Sequence, residues 1–170
     1  MKKGSTRQVL WAPWRLEYIL GEKESGCIFC SRVQQSPDND EKNLILTRGE
    51  TCFVIMNRYP YNNGHLMVVP YRHTGDLTEL TPAENQEIMA MLQQTLQVLT
   101  EAMTPDGFNI GLNLGKVAGA GVDDHLHFHI VPRWDADTNF MPVIGDTRVI
   151  PEALNATYRK LHGVFERMKP

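Results

Sequence analysis

The hydrophobic patterning predicts an α+β fold with a mostly antiparallel sheet, on three observations. Five short apolar runs have strand character, one long segment carries a helical stripe behind a complete start signal, and a second helical stripe lies near the C-terminus. No internal repeat and no break in composition divides the 170 residues. The reading is therefore one domain over 1–170, with an N-terminal extension at 1–26 and a C-terminal extension at 135–170 that contains the last helix.

The elements follow in order. Residues 1–26 are irregular, and Trp11, Pro13, Trp14 and Arg15 lie close together; aromatics this dense pack on the body of a domain or on a partner chain. Residues 31–42 (SRVQQSPDNDEK) are polar with a proline and predict a surface loop. Runs 43–47 (NLILT) and 52–56 (CFVIM) predict two strands, with a hairpin turn at Arg48-Gly49-Glu50. A third strand is expected at 65–69 (HLMVV), after the turn-rich 59–64 (YPYNNG) and before Pro70. The long helix starts with Thr81 as cap, Pro82 in the first helical position and Glu84 completing a capping box. Ile88, Leu92, Leu96, Leu99 and Met103 form its apolar stripe, and residues 104–107 (TPDG) end it. Runs 108–114 and 125–132 predict the last two strands, joined by a glycine-rich loop at 115–124 (GKVAGAGVDD). Leu154, Tyr158, Leu161, Phe165 and Met168 fit the terminal helix.

Composition removes several classes of function. With 42% hydrophobic and 22% charged residues the chain is like an ordinary soluble protein. A net charge of −3 favours neither duplex nucleic acid nor an anionic membrane. No apolar run reaches the roughly 18–20 residues that span a bilayer, and residues 1–15 lack the continuous apolar core of a signal peptide. Three cysteines, with Cys27 and Cys30 separated by two residues, do not read as a disulfide framework, and a reducing cytoplasm is expected.

The segment His125-Leu126-His127-Phe128-His129-Ile130-Val131 carries the most chemical information. On an extended strand its three imidazoles share one face, roughly 6–7 Å apart, while Leu126, Phe128 and Ile130 share the apolar face that packs on the helices. Imidazole titrates near neutrality, so it serves as nucleophile, acid or base. Toward phosphorus, one ring nitrogen attacks while the other N–H is held by an acceptor, and neighbouring imidazoles neutralise charge on the phosphate oxygens. The preceding glycine-rich loop offers backbone N–H groups to phosphates, or it simply makes a turn. Alternating histidines also suit a metal site. Cys27-x-x-Cys30 matches half of a tetrahedral zinc site, or is a pair of reduced thiols; no thioredoxin-like pattern surrounds it. Cys52, inside an apolar run, reads as a small core residue.

The His-x-His-x-His segment resembles the signature of the histidine-triad (HIT) superfamily. Residues 53–70 (FVIMNRYPYNNGHLMVVP) are similar to the family's other signature, and the spacing between the two, with one helix between them, also matches. The resemblance covers residues 27–134 well. It implies a five-stranded antiparallel sheet with two main helices, in a homodimer whose sheets are continuous and whose long helix lies near the contact. His127 is then the nucleophile, His129 contacts the reacting phosphate, His125 supports the site from one side, and His65 hydrogen-bonds near the nucleophile. Asn57 falls where the ribose hydroxyls bind and Asn113 near the phosphate chain and leaving group; without the motif each would simply cap a strand or turn. His65 would otherwise be a satisfied surface histidine.

One position departs from the pattern. Many hydrolases of the superfamily carry glutamine four residues before the first triad histidine, and here that residue is Gly121. Together with LWAPWR at 10–15, EYI at 17–19, and HIVPRW followed by Asn139-Phe140, this is similar to the bacterial diadenosine-tetraphosphate phosphorylase branch. There inorganic phosphate, not water, resolves the intermediate, giving ATP and ADP. Trp134 borders the substrate site in that pattern, or belongs to the core. Alternatives are a HIT-type hydrolase of dinucleoside polyphosphates or nucleoside phosphoramidates, a non-catalytic nucleotide-binding protein, and a structural zinc module. Relatives with Cys-x-x-Cys near the N-terminus imply a structural zinc held by Cys27, Cys30, His73 and His125. No organic cofactor is expected.

Overall fold

The computed structural model describes residues 26–135, 137 and 150–169. The tryptophan-rich stretch at 10–15, residues 17–19 and Asn139-Phe140 lie outside the described residues. Among the described residues five strands form one antiparallel sheet: β1 (Ile45–Arg48), β2 (Cys52–Met56), β3 (Leu66–Pro70), β4 (Gly107–Gly111) and β5 (Phe128–Arg133). Their spatial order is β1-β2-β3-β5-β4. Among the described residues four α-helices accompany it: α1 (Ile28–Val33), α2 (Asp40–Asn43), α3 (Pro82–Met103) and α4 (Leu154–Arg167).

The strands β2 and β3 are buried along their whole length, which is why CFVIM and LMVVP read as continuous apolar runs without alternation. Helix α3 starts with the capping box predicted: the Thr81 hydroxyl accepts from Glu84 N–H, and the Glu84 carboxylate accepts from Thr81 N–H at 2.8 Å. It presents Ile88, Leu92 and Leu99 to the sheet, with Met91 and Val98 widening the stripe. Helix α4 buries Tyr158, Leu161, Val164 and Phe165 against the same core. The hairpin between β1 and β2 is held from α3, where the Glu87 carboxylate accepts Glu50 N–H at 2.7 Å and bonds the Thr51 hydroxyl.

Three boundaries differ most from the sequence reading. Residues 31–42 are largely helical rather than a loop, because Arg48 of β1 satisfies their loose ends: it donates to Val33 O at 2.8 Å, at the end of α1, and pairs with Asp40 of α2 at 2.7 Å. The fourth strand stops at Gly111, short of residue 114. The fifth starts at Phe128, not at residue 125, because its pairing with β3 begins at Val68↔Phe128.

Candidate active site and metal centre

That late start of β5 sets the geometry of the histidines. His129 lies within the ladder opposite Met67, whereas His125 and His127 lie in the segment leading into it. This lead-in is fixed independently. Leu126 N–H donates to Thr74 O at 2.8 Å, and a methyl added at Gly75 would run into the Asp123 carbonyl oxygen. The expectation of three evenly spaced imidazoles facing one cavity is therefore corrected. His127 and His129 stand with ring centres 4.8 Å apart, while the His125 ring turns toward Cys27, Cys30 and His73.

His65 joins the first pair from the turn before β3. Gly64 adopts a φ of 73°, and a side chain there would strike Met103. His65 N–H donates to Asn62 O at 3.2 Å and His65 O accepts from Asn57 N–H at 3.0 Å, so the backbone on both sides of the imidazole is held. His65 is 1% exposed, which removes the surface-histidine reading.

The hydrogen bonds assign every proton in this cluster. His127 Nδ1 lies 2.8 Å from the carbonyl of His125, which only accepts, so Nδ1 carries the proton and, in the neutral ring, Nε2 carries the lone pair. Tyr61 N–H donates to His65 Nδ1 at 3.1 Å, which puts the His65 proton on Nε2. His65 Nε2–H then donates to His129 Nδ1 at 2.9 Å, which puts the His129 proton on Nε2. The outcome is a bare ring nitrogen on His127 beside an N–H donor on His129. Phe29 packs its ring 5.2 Å from that of His127, and Tyr61 lies 4.6 Å from His65.

Burial, with His127 close by, pushes His129 down to about 4, so it is neutral at pH 7 and its Nε2–H is a neutral donor. Because the folded value lies below the unfolded one of 6.5, the unfolded chain takes up the proton first. Stability is then complete above about pH 6.5 and is lost as pH falls toward about 4. Thermal melting across that window is expected to show this decline, and His129→Gln is expected to flatten it. Carboxylates add to the decline only in the lower part of that window; Glu84, for one, is held at about 2 by Arg72, below its ordinary 4.5.

The remaining predicted substrate residues show contacts of other kinds. Asn57 Oδ1 accepts from Tyr59 N–H at 2.9 Å, so its side chain shapes the turn. Asn113 is half-buried, and a methyl added at Gly119 would meet its Nδ2 at 3.9 Å. At Gly121 a methyl would meet nothing within 4 Å. The Trp134 indole donates to Met103 O at 3.3 Å, capping the end of α3.

His125 belongs to a second cluster. Its Nε2 lies 2.9 Å from Pro70 O, which requires the proton there and leaves the Nδ1 lone pair for a ligand. Nδ1 lies 3.2 Å from Cys27 Sγ, 3.6 Å from Cys30 Sγ and 3.2 Å from His73 Nδ1. Cys30 Sγ lies 3.5 Å from His73 Nδ1. Tetrahedral zinc with bonds of about 2.0–2.3 Å gives ligand–ligand edges of about 3.3–3.8 Å, so two thiols and two imidazoles at these separations fit such an ion. Burial and the adjoining Cys27 thiol push the Cys30 thiol up, and a cation is what would hold both as thiolates. Asp124 stands 3.6 Å from His73 Nε2 as an outer partner.

Several participants had no sequence signal of their own. Phe29 sits inside the Cys-x-x-Cys motif, and Tyr61 and Asn62 sit inside the turn before Gly64, where turn chemistry was the whole reading. A shallow groove of about 540 Å³ between α2, β1 and α4 lies apart from these clusters; Arg48, Tyr158 and His162 line it, and no residue of either cluster does.

The comparisons agree with this architecture. The family model for the HIT domain matches residues 38–136. The chain is 42% identical over 160 residues, 91% of its length and 82% of the relative's, to a protein of Mycobacterium tuberculosis named AP-4-A phosphorylase. It is 32% identical over 111 residues, 65% of its length and 81% of the relative's, to an uncharacterised HIT-like protein of Methanocaldococcus jannaschii. A crystal structure of a zinc-bound histidine triad family protein from Mycobacterium smegmatis superposes with a TM-score of 0.65 at 28% identity, covering 84% of this chain and 95% of that one. The chain belongs to the HIT-domain family.

Proposed function

We propose that this chain cleaves diadenosine tetraphosphate by phosphorolysis, through an adenylylated His127. The observation that carries the reading is the pairing of His127 Nε2, bare because Nδ1–H is committed to the His125 carbonyl at 2.8 Å, with the adjacent His129 N–H. His127 Nε2 attacks the α-phosphorus, the P–O bond to the remaining three phosphates breaks, and ATP leaves. Inorganic phosphate then attacks the same phosphorus, the N–P bond breaks, and ADP leaves. Splitting one displacement into two lowers each barrier. The leaving oxygen belongs to a phosphate and tolerates negative charge, so a neutral donor at His129 suffices to steady the non-bridging oxygens. Asn57 is assigned to the ribose, Asn113 to the phosphate chain and Trp134 to the border of the site. The relative named AP-4-A phosphorylase supports this choice of substrate.

Gly121 supports phosphate as the acceptor, since nothing fills the space beside its α-carbon. Incubation with diadenosine tetraphosphate and phosphate is expected to yield ATP and ADP; AMP formed at a rate indifferent to phosphate would contradict the reading. Gly121→Gln places an amide in the open space, and the AMP to ADP ratio is expected to rise by about tenfold or more, the effect of about 1.4 kcal/mol on the competing step.

Cys27, Cys30, His73 and His125 are assigned as ligands of a structural zinc with no open position, which ties α1 to the entry of β5. A zinc-bound relative supports that metal. The edge strand β4, with Ile110 about half exposed, supports a homodimer with continuous sheets; a monomer by light scattering would contradict it. The whole chain is read as one domain acting in the cytoplasm. No helix among the described residues is long and apolar enough to cross a membrane.

A further inference from the structure

We infer that Asn62 and Asp137 form a brace that positions His65 against His129; the inference rests on the functional reading above. His65 lies in the turn before β3 and His129 in β5, and their relay works only if that turn is registered against β5. Asn62 occupies that turn, and its backbone carbonyl already accepts the His65 N–H at 3.2 Å. Its side-chain Nδ2 crosses to β5, donating to Pro132 O at 3.2 Å and to Asp137 Oδ2 at 2.8 Å. Asp137 is held in turn by Arg133 at the end of β5, whose Nε and Nη2 donate to it at 2.6 and 2.8 Å. Trp134 N–H adds a third donor group at 3.2 Å, and Arg133 Nη1 reaches on to Asn109 Oδ1 of β4 at 2.8 Å. The Asp137 side chain is only 10% exposed, so a largely buried carboxylate is spent on joining the turn, the end of β5 and, through Arg133, β4.

This arrangement does more than stabilise the fold. The preceding residue of the turn, Tyr61, supplies the N–H that sets the His65 proton on Nε2, and that proton, donated to His129 Nδ1, leaves the His129 proton on Nε2. A turn that drifts relative to β5 loses the Tyr61 and His129 bonds together, and His129 is then free to present a lone pair where a donor is needed. Asn62 and Asp137 are positioning residues: neither reaches the reacting atoms, and both act through His65.

The test compares Asn62→Ala, Asp137→Asn and the double variant, using nitrogen-15 NMR of histidine-labelled protein alongside kinetics. In the parent protein His65 and His129 are expected as single Nε2–H tautomers. In each single variant the two are expected to become tautomer mixtures. Turnover should fall about tenfold with KM within about twofold, since a small misplacement at the reacting centre costs rate more than binding. The double variant should fall no further than the worse single one, because both break the same brace. Tautomers that stay fixed in both single variants, with or without a change in melting temperature, would overturn the inference. The NMR readout needs no substrate, so failure of the proposed activity in the parent protein is distinguishable from failure of the brace.

Discussion

His127→Ala is expected to lower turnover by roughly 10⁴-fold or more while nucleotide affinity changes by no more than a few fold. That loss corresponds to about 5 kcal/mol of transition-state stabilisation. It falls on the chemical step because the residue forms the covalent bond rather than merely holding the substrate. His129→Ala removes one donor to the phosphate oxygens and is expected to cost less, about 10²- to 10³-fold. Single-turnover kinetics with equilibrium nucleotide binding on the same samples checks both. A His127→Ala variant that turns over within tenfold of the parent would remove the nucleophile from the account and leave a nucleotide-binding protein.

The second large effect is on stability. Cys27→Ser is expected to reduce bound zinc from one per chain to well below one and to lower the melting temperature by about 10 °C. A structural site of this kind contributes several kcal/mol, and 1 kcal/mol shifts a domain of this size by about 2–4 °C. Without the ion, the two thiols and two imidazoles, all within 4.8 Å of one another, are left with hydrogen bonds such as Cys27 Sγ to His125 Nδ1 at 3.2 Å, which hold them less firmly than metal bonds. The effect reaches the other cluster too, because the carbonyl that fixes the His127 tautomer belongs to His125. Metal analysis of protein purified without added zinc, paired with calorimetry, checks it; protein free of zinc that melts at the same temperature as the loaded form would contradict the assignment.

The parts of this fold that were legible in the sequence are those set by local rules. The capping box at Thr81 and Glu84 and the stripe from Ile88 to Met103 concern neighbours three or four residues apart, and α3 follows them. The apolar runs of β2 and β3 were equally plain. What escaped depends on distant partners. Residues 31–42 contain no helical stripe, and their short helices rest on Arg48. The divergence of His125 from His127 and His129 depends on where the ladder between β3 and β5 begins, which no periodicity within the histidine segment reveals. Asn62 and Asp137 are 75 residues apart in sequence, so their contact had no local signature. At the site itself the residue types pointed to the chemistry, while the assignment of each proton required carbonyls and amides from other parts of the chain.

The stereochemical course at the α-phosphorus tests the central claim most directly. With a substrate made chiral by sulfur at that phosphorus, two successive in-line displacements, first by His127 and then by phosphate, return the starting configuration. The account predicts retention in the nucleoside diphosphate product, and inversion, the mark of a single direct attack by phosphate, would contradict it.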